Sequence, residues 1–276
     1  MTILETAATM ATPVGEIAVV GLGPGPAGWL VPEAAEALDL ATDLVGYIPY
    51  VARVPERPGL LRHASDNRVE IDRARHAFQL ALEGRRVAVV SGGDPGVFAM
   101  AAAVFEALES DPACRAVPVR VVPGLSAMQA AAARLGAPLG HDFCAISLSP
   151  NLKPWAVVLR RLQAAAEGDF VMALYNPASR ARPLQIGQAF DHLRGLKAAA
   201  TPVAFARAVG RPDERLHLTT LGEAAPALVD MATLVIVGSS ETRLVAGQGG
   251  RRWMLTPRSY GAVPSAEPAG SKGAPR

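Results

Sequence analysis

Residues 19–30 read VVGLGPGPAGWL. A short β-rich run, opening upstream as EIAVVGLG, that breaks into glycines predicts a buried parallel strand entering a tight loop. The pattern returns twice. RRVAVVSGGDPG, residues 85–96, leads into the helical stretch VFAMAAAVFEAL. VPVRVVPGLSAMQAAAARLG, residues 117–136, gives a strand, a Pro-Gly turn and a helix opened by Ser126. Between these repeats, Pro32 and Glu33 start a helix over PEAAEALDLA, DLVGY is a short strand, and RVEIDRARHAFQLALEG is a helix closed by Gly84. Its apolar face gathers Val69, Ile71, Ala74, Phe78, Ala81 and Leu82.

The second half changes rhythm. DFCAISLS, DFVMALYNP, TPVAFARAV, RLHLTTL and ATLVIVGSS read as five strands, with helices over Pro154–Ala166 and Leu184–Ala198. Only a turn separates TPVAFARAVG from ERLHLTTL, which predicts a hairpin and a mixed sheet. The fold class expected is therefore α/β, as two α/β/α domains with a cleft between them. The N-terminal sheet is mainly parallel and the C-terminal one mixed. The expected boundaries are a flexible leader over 1–15, domains over 16–124 and 125–246, and a tail over 247–276 that is largely disordered at its end.

Composition narrows the classes of function. Half of the 276 residues are hydrophobic, and 27 basic residues face 25 acidic ones, so no global field points to nucleic acid. Local arginines can still pair with an acidic small molecule. Cys114 and Cys144 read as separate buried thiols of a reducing cytoplasm. His63, His76, His141, His192 and His217 show no ligand spacing, so no metal site is expected. No signal-peptide pattern and no apolar run of roughly 20 residues is present, and the expected location is the cytoplasm, without a membrane partner.

The first glycine loop invites a dinucleotide reading. Gly21 and Gly23 supply two positions of that fingerprint, but Pro26 stands at the third, and Pro24 removes a backbone N–H where a pyrophosphate needs donors. Asp43, near the place of a ribose-binding acid, opens a strand instead of ending one. A stiff, donor-poor loop suits a bulky, partly apolar ligand or a domain junction better than a phosphate. A nicotinamide-dependent oxidoreductase is thereby disfavoured.

VVGLGPG, SGGDPGVFAMA, VVPGLSAMQAAAARLG and ATLVIVG, in this order and spacing, resemble the tetrapyrrole methylases, and the resemblance runs from about Glu16 to Tyr260. HDFCAISLS, KPWAVVLRRLQAAAEGDFVMALYNPASRAR and MLTPRSY narrow it to the branch that acts on corrin precursors. The resemblance implies a class III methyltransferase fold and a homodimer. It implies S-adenosyl-L-methionine as methyl donor, leaving S-adenosyl-L-homocysteine, and methylation of precorrin-3B at C-17 with ring contraction to precorrin-4 in cobalamin biosynthesis. The cobalt-containing substrate of the anaerobic route is the close alternative. A non-catalytic tetrapyrrole-binding protein is a further one.

Residue by residue, the resemblance carries cofactor contacts onto Pro24, Gly92, Gly93, Asp94, Val97, Ser126, Ala127, Ala173, Leu174, Tyr175, Ala206, Arg207, Thr233 and Leu234. Asp94 has a lesser reading as a cap of the next helix, Ser126 is by itself a natural N-cap, and Thr233 with Leu234 reads equally well as plain core strand. The carboxylates of a precorrin call for arginines, and Arg53, Arg180 and Arg182 are the candidates. Tyr175, Asp94 and His141 are the candidates for proton transfer during ring contraction. One departure stands out: that branch reads Ser-Leu-Ser-Asp where this chain has Pro150 in SLSPNLKPW. Ser147, Ser149 or Asn151 would then take the place of the missing carboxylate.

Overall fold

The computed structural model describes residues 14–66, 69–179 and 181–259. The chain divides into two compact units, Met1–Ala127 and Met128–Arg276. The division thus falls a few residues beyond Gly124, where the sequence places it, at the start of a helix. Of the expected leader only Val14 and Gly15 are among the described residues.

The first unit is built from β1 (Glu16–Gly21), α1 (Pro32–Leu40), β2 (Asp43–Tyr47), α2 (Ile48–Val51), β3 (Leu61–Ser65), α3 (Glu70–Leu82), β4 (Arg86–Ser91), α4 (Met100–Ser110) and β5 (Val119–Val122). Its sheet has the order β3-β2-β4-β1-β5, and every pairing is parallel. Apolar runs in β1 and β4 make this possible, because both faces of those strands are covered. Ile17, Val19, Val87 and Val89 pack with Ala74, Phe78 and Val104 of α3 and α4. The alternate residues Ala18, Val20, Ala88 and Val90 pack with Ala34 and Ala37 of α1.

Parallel strands put their carboxyl ends on one edge, and there the three loops anticipated from the sequence converge. Gly23 and Gly93 exchange two backbone hydrogen bonds, of 3.1 and 3.0 Å, and both adopt positive φ. A Cβ on Gly21 would lie 2.8 Å from the Gly124 Cα, and one on Gly124 would lie 2.4 Å from the Gly93 oxygen. The backbones touch, so no side chain fits between them.

The second unit opens with α5 (Ala127–Leu135), whose first residue is the last of the first unit. It contains β6 (Gly136–Ala137), β7 (Phe143–Ser147), α6 (Trp155–Glu167), β8 (Val171–Tyr175), α7 (Gln185–Arg194), β9 (Pro202–Arg207), β10 (Arg215–Thr220), β11 (Thr233–Val237), β12 (Arg243–Ala246) and β13 (Arg252–Leu255). The main sheet runs β10-β9-β11-β8-β7, with β7 and β8 parallel and the other pairs antiparallel. It is the mixed sheet that the β9–β10 hairpin foretells. Ile186, Phe190 and Leu193 of α7 and Val158 and Leu162 of α6 cover one face, against Met172, Leu174, Phe205 and Val235.

Several elements differ from the sequence reading. Strand β3 was not anticipated, because Arg62 and His63 break its apolar pattern and it lies at the sheet edge. Helix α4 starts at Met100 and not at Val97, because Phe98 takes a left-handed conformation. Helix α7 stops at Arg194, with Gly195 as its cap, short of Ala198. The stretch from Gly247, read as tail, contributes β13, which pairs with both β12 and β6; residues beyond 259 lie outside the described ones. Among the described residues no helix is long and apolar enough to cross a membrane.

At the opposite edge of the first sheet, the fully buried Asp43 opens β2. Its carboxylate accepts hydrogen bonds from Arg85 Nε and Thr42 Oγ1, both at 2.7 Å, and from His63 Nε2 at 2.9 Å. His63 Nδ1 meets His76 Nε2 at 3.0 Å. Burial alone would raise the Asp43 carboxyl, but the bonds from Arg85, Thr42 and His63 hold it below the ordinary value.

Asp43→Asn should destabilise the protein at pH 7 by roughly 2–3 kcal/mol, since it leaves Arg85 facing an amide. In the wild type this contribution is present above the unfolded carboxylate value, about 3.9, and disappears as pH falls through the lower folded value. The gap between the urea midpoints of the two proteins should therefore narrow as pH is lowered from 7 to 3. Gly124→Ala, forced against the Gly93 oxygen, should cost about 3 kcal/mol and lower Tm by roughly 6–12 °C in a thermal melt.

Candidate active site

The carboxyl edge of the first sheet carries a loop system closed by two charged side chains. Asp94 Oδ1 accepts the Gly96 N–H at 2.8 Å, and Oδ2 accepts the Gly124 N–H at 3.0 Å. One carboxylate therefore turns its own loop and ties it to the loop after β5. Arg53, just beyond α2, donates to the carbonyls of Leu22 and Gly23, both at 2.8 Å, and of Gly25 at 3.0 Å. Its fork holds the GLGPG loop through main-chain oxygens.

The amides of Gly23, Gly93, Gly96 and Gly124 are thus engaged inside the protein. A pyrophosphate would need such donors, so these four cannot serve as its nest without breaking the loop system. Tyr50 lies across this edge: a Cβ on Gly92 would lie 2.7 Å from its ring. Tyr47 stands edge-on to Tyr50, with centroids 5.5 Å apart. Pro24 and Val97 are half-buried, and Ser126 is buried at the start of α5.

In the second unit β7, β8 and β9 run in the same direction and β11 runs against them, so one edge gathers Ser147, Tyr175, Arg207 and Thr233. The Tyr175 phenol oxygen accepts the Met128 N–H at the start of α5, at 3.0 Å. Asn176 follows with φ 51° and donates through Nδ2 to Ser147 Oγ at 3.0 Å. Arg182 Nη1 donates to the Asn176 carbonyl at 3.2 Å, and its backbone pairs with Ser179 in a tight bridge. Ser149 N–H reaches Ser147 Oγ at 3.4 Å, and the exposed Asn151 N–H reaches Ser149 Oγ at 3.4 Å.

Along the same edge, Arg207 donates to Asp213 and to Asp230, each at 2.7 Å. Thr233 Oγ1 donates to the other Asp230 oxygen at 2.7 Å. Burial tends to raise the Asp230 carboxyl, yet the bonds from Thr233, Arg207 and Ala232 keep it below the ordinary value. Arg207 is accordingly compensated by two carboxylates. Ala208, directly after it, adopts φ 49°.

The residues singled out from the sequence are distributed in recognisable groups. Pro24, Gly92, Gly93, Asp94, Val97, Ser126 and Ala127 belong to the three loops of the first unit and the start of α5, and Arg53 reaches the first of those loops from beyond α2. Ser147, Ser149, Asn151, Tyr175 and Arg182 meet at one edge of the second, beside Arg207 and Thr233. Ala173 and Leu174 have fully buried side chains, and those of Ala206 and Leu234 are nearly so. His141 is not brought to this edge: it precedes β7 at the opposite end, with Nδ1 accepting the Asp142 N–H at 2.8 Å. Arg180 lies outside the described residues.

Sequence reasoning missed Tyr50, Asn176, Asp213 and Asp230. Asn176-Pro177 carried a usable signal, since asparagine enters the left-handed region more readily than other residues with a Cβ. Tyr50 carried none, because its contact with Gly92 is made through space from α2.

Comparisons with known proteins place the chain among its relatives. The chain is 56% identical over 247 residues to a precorrin-3B C(17)-methyltransferase of Sinorhizobium sp, covering 89% of this chain and 97% of that one. It is 43% identical over 245 residues to a probable cobalt-factor III C(17)-methyltransferase of Salmonella typhimurium, covering 88% of this chain and 99% of that one. The crystal structure of the methyltransferase CobJ superimposes with TM-score 0.85 at 53% identity, covering 88% of this chain and 100% of that one. Residues 16–225 match the family model of the tetrapyrrole (corrin/porphyrin) methylases, and the chain belongs to that family.

Proposed function

We propose that this methyltransferase moves a methyl group from S-adenosyl-L-methionine to C-17 of precorrin-3B, with ring contraction to precorrin-4, in cobalamin biosynthesis. The observation that carries the reading is the near-complete alignment with the Sinorhizobium enzyme. The engaged amides of the glycine loops support it, because they suit a sulfonium compound and not a dinucleotide. When bound, S-adenosyl-L-methionine supplies an electrophilic methyl carbon on a good leaving group.

The protein's own task is then to place and to desolvate. Gly92, Gly93 and Val97, with Pro24, Ser126 and Ala127, receive the cofactor on the first unit. Asp94 acts there by holding its loop, since both of its oxygens accept backbone N–H groups. On the second unit Tyr175, Arg207 and Thr233 contribute, while the buried Ala173, Leu174, Ala206 and Leu234 act through the strands they form. Tyr175 accepts an N–H at the positive end of α5, which leaves its own proton directed elsewhere, so it is the group we assign to proton transfer in ring contraction. Ser147, Ser149, Asn151 and Arg182 present hydroxyl, amide and guanidinium groups to the acidic macrocycle. The same reading makes the protein a cytoplasmic homodimer acting on a small-molecule tetrapyrrole, with no nucleic-acid or membrane partner and no metal cofactor.

A second reading, the cobalt-containing substrate, is favoured by the Salmonella relative, though identity to it is lower. Full-length protein incubated with methyl-labelled S-adenosyl-L-methionine should label precorrin-3B and not its cobalt counterpart. Label in the cobalt pigment alone would select the second reading, and pigment binding without label would make the protein a carrier. Arg53→Lys keeps the charge but loses the fork. It should raise KM for the methyl donor roughly tenfold while leaving pigment affinity unchanged.

A further inference from the structure

Ser147, the last residue of β7, is only 6% exposed. Its hydroxyl offers two lone pairs and one proton. Both lone pairs are taken: Asn176 Nδ2 donates to Oγ at 3.0 Å, and the Ser149 N–H donates to it at 3.4 Å. The proton is then the one part of the group left to give, and among the described residues no acceptor takes it. A buried donor without a partner is costly, so its place in the fold needs a reason. That place is the carboxyl end of the parallel pair β7 and β8, where open α/β sheets bind their ligands.

Asn176, which sets up this arrangement, is itself held under constraint. It follows β8 with φ 51° and precedes Pro177, although a following proline favours extended backbone. The conformation is fixed from both sides. The Leu148 N–H donates to the Tyr175 carbonyl at 2.9 Å, and Arg182 Nη1 donates to the Asn176 carbonyl at 3.2 Å. Strain that persists because its surroundings over-determine it gathers at functional sites. We propose that Asn176 is a positioning residue: by occupying Ser147 Oγ it makes that hydroxyl an obligate donor, and the acceptor is a carboxylate of the tetrapyrrole substrate. The inference rests on the function proposed above. A serine ordinarily rotates between donating and accepting, whereas a carboxylate only accepts. Fixing the hydroxyl as a donor removes that choice before the substrate arrives.

The test uses full-length wild type, Ser147→Ala, Asn176→Gly, Asn176→Asp and the Ser147→Ala/Asn176→Gly pair, with absorbance titration of precorrin-3B, calorimetry with S-adenosyl-L-homocysteine, and thermal melts. Ser147→Ala should bind pigment roughly tenfold more weakly and Asn176→Gly about fivefold, each with S-adenosyl-L-homocysteine affinity within about twofold of wild type. Asn176→Gly should melt close to wild type, because glycine takes the left-handed backbone without strain. In the Ser147→Ala background it should change pigment affinity by less than about twofold, since the group it positions is gone. The Asn176→Asp carboxylate takes the Ser147 proton for itself, so this variant should bind pigment no better than Asn176→Gly. Wild-type pigment affinity in Ser147→Ala or in Asn176→Asp overturns the proposal. So do losses that add in the double variant, which make Asn176 act without Ser147, and an equal loss of S-adenosyl-L-homocysteine affinity, which assigns the pair to the cofactor. If wild type itself fails to bind precorrin-3B, the proposed function falls, whereas wild-type binding with indifferent variants removes the Asn176–Ser147 assignment alone.

Discussion

The structure depends on bare backbone meeting bare backbone at Gly21, Gly93 and Gly124. Neighbouring parallel strands stand about 4.8 Å apart, and the loops that leave β4, β1 and β5 can close on each other only where no Cβ intervenes. Contact this close needs a partner for every polar atom it covers. Asp94 and Arg53 provide complementary halves of that requirement, the carboxylate taking amides and the guanidinium taking carbonyls. Two side chains of opposite charge thus keep one loop system both tight and polar-satisfied.

The second unit reaches a comparable result by other means. Its edge is organised by side chains that bind one another, in the Ser147–Asn176 and Arg207–Asp230–Thr233 groups, and not by glycine contacts. The difference follows from topology. A parallel sheet brings successive loops to one edge, whereas antiparallel pairs send alternate loops to opposite edges, and side chains must span the gaps. The phenol of Tyr175, fixed by a helix amide, belongs to this second style of construction.

Much of the fold was legible because its strands are near-continuous apolar runs ending in glycine. The β1, β4 and β5 loops could be placed from spelling alone, and the β9–β10 hairpin from the short turn between its strands. Strand β3 was not legible, since an edge strand bearing Arg62 and His63 does not differ locally from a loop. The candidate site residues in glycine-rich motifs lie in loops that the spelling places, at the carboxyl edge of the first sheet. The partnerships of Arg53 and Arg207 were not, because a sequence shows a cation without showing what neutralises it. Nor does it show that His141 precedes a strand whose other end holds Ser147.

Ala208 draws out a last consequence. An alanine held at φ 49° forgoes about 1 kcal/mol that a glycine would retain, and it does so beside the Arg207–Asp230 pair. The chain therefore keeps an unspent reserve of thermal robustness at the rim where its polar groups assemble. An engineer seeking a hardier catalyst could draw on that reserve at a single position, and any turnover lost in exchange would measure how far rigidity and reactivity compete here.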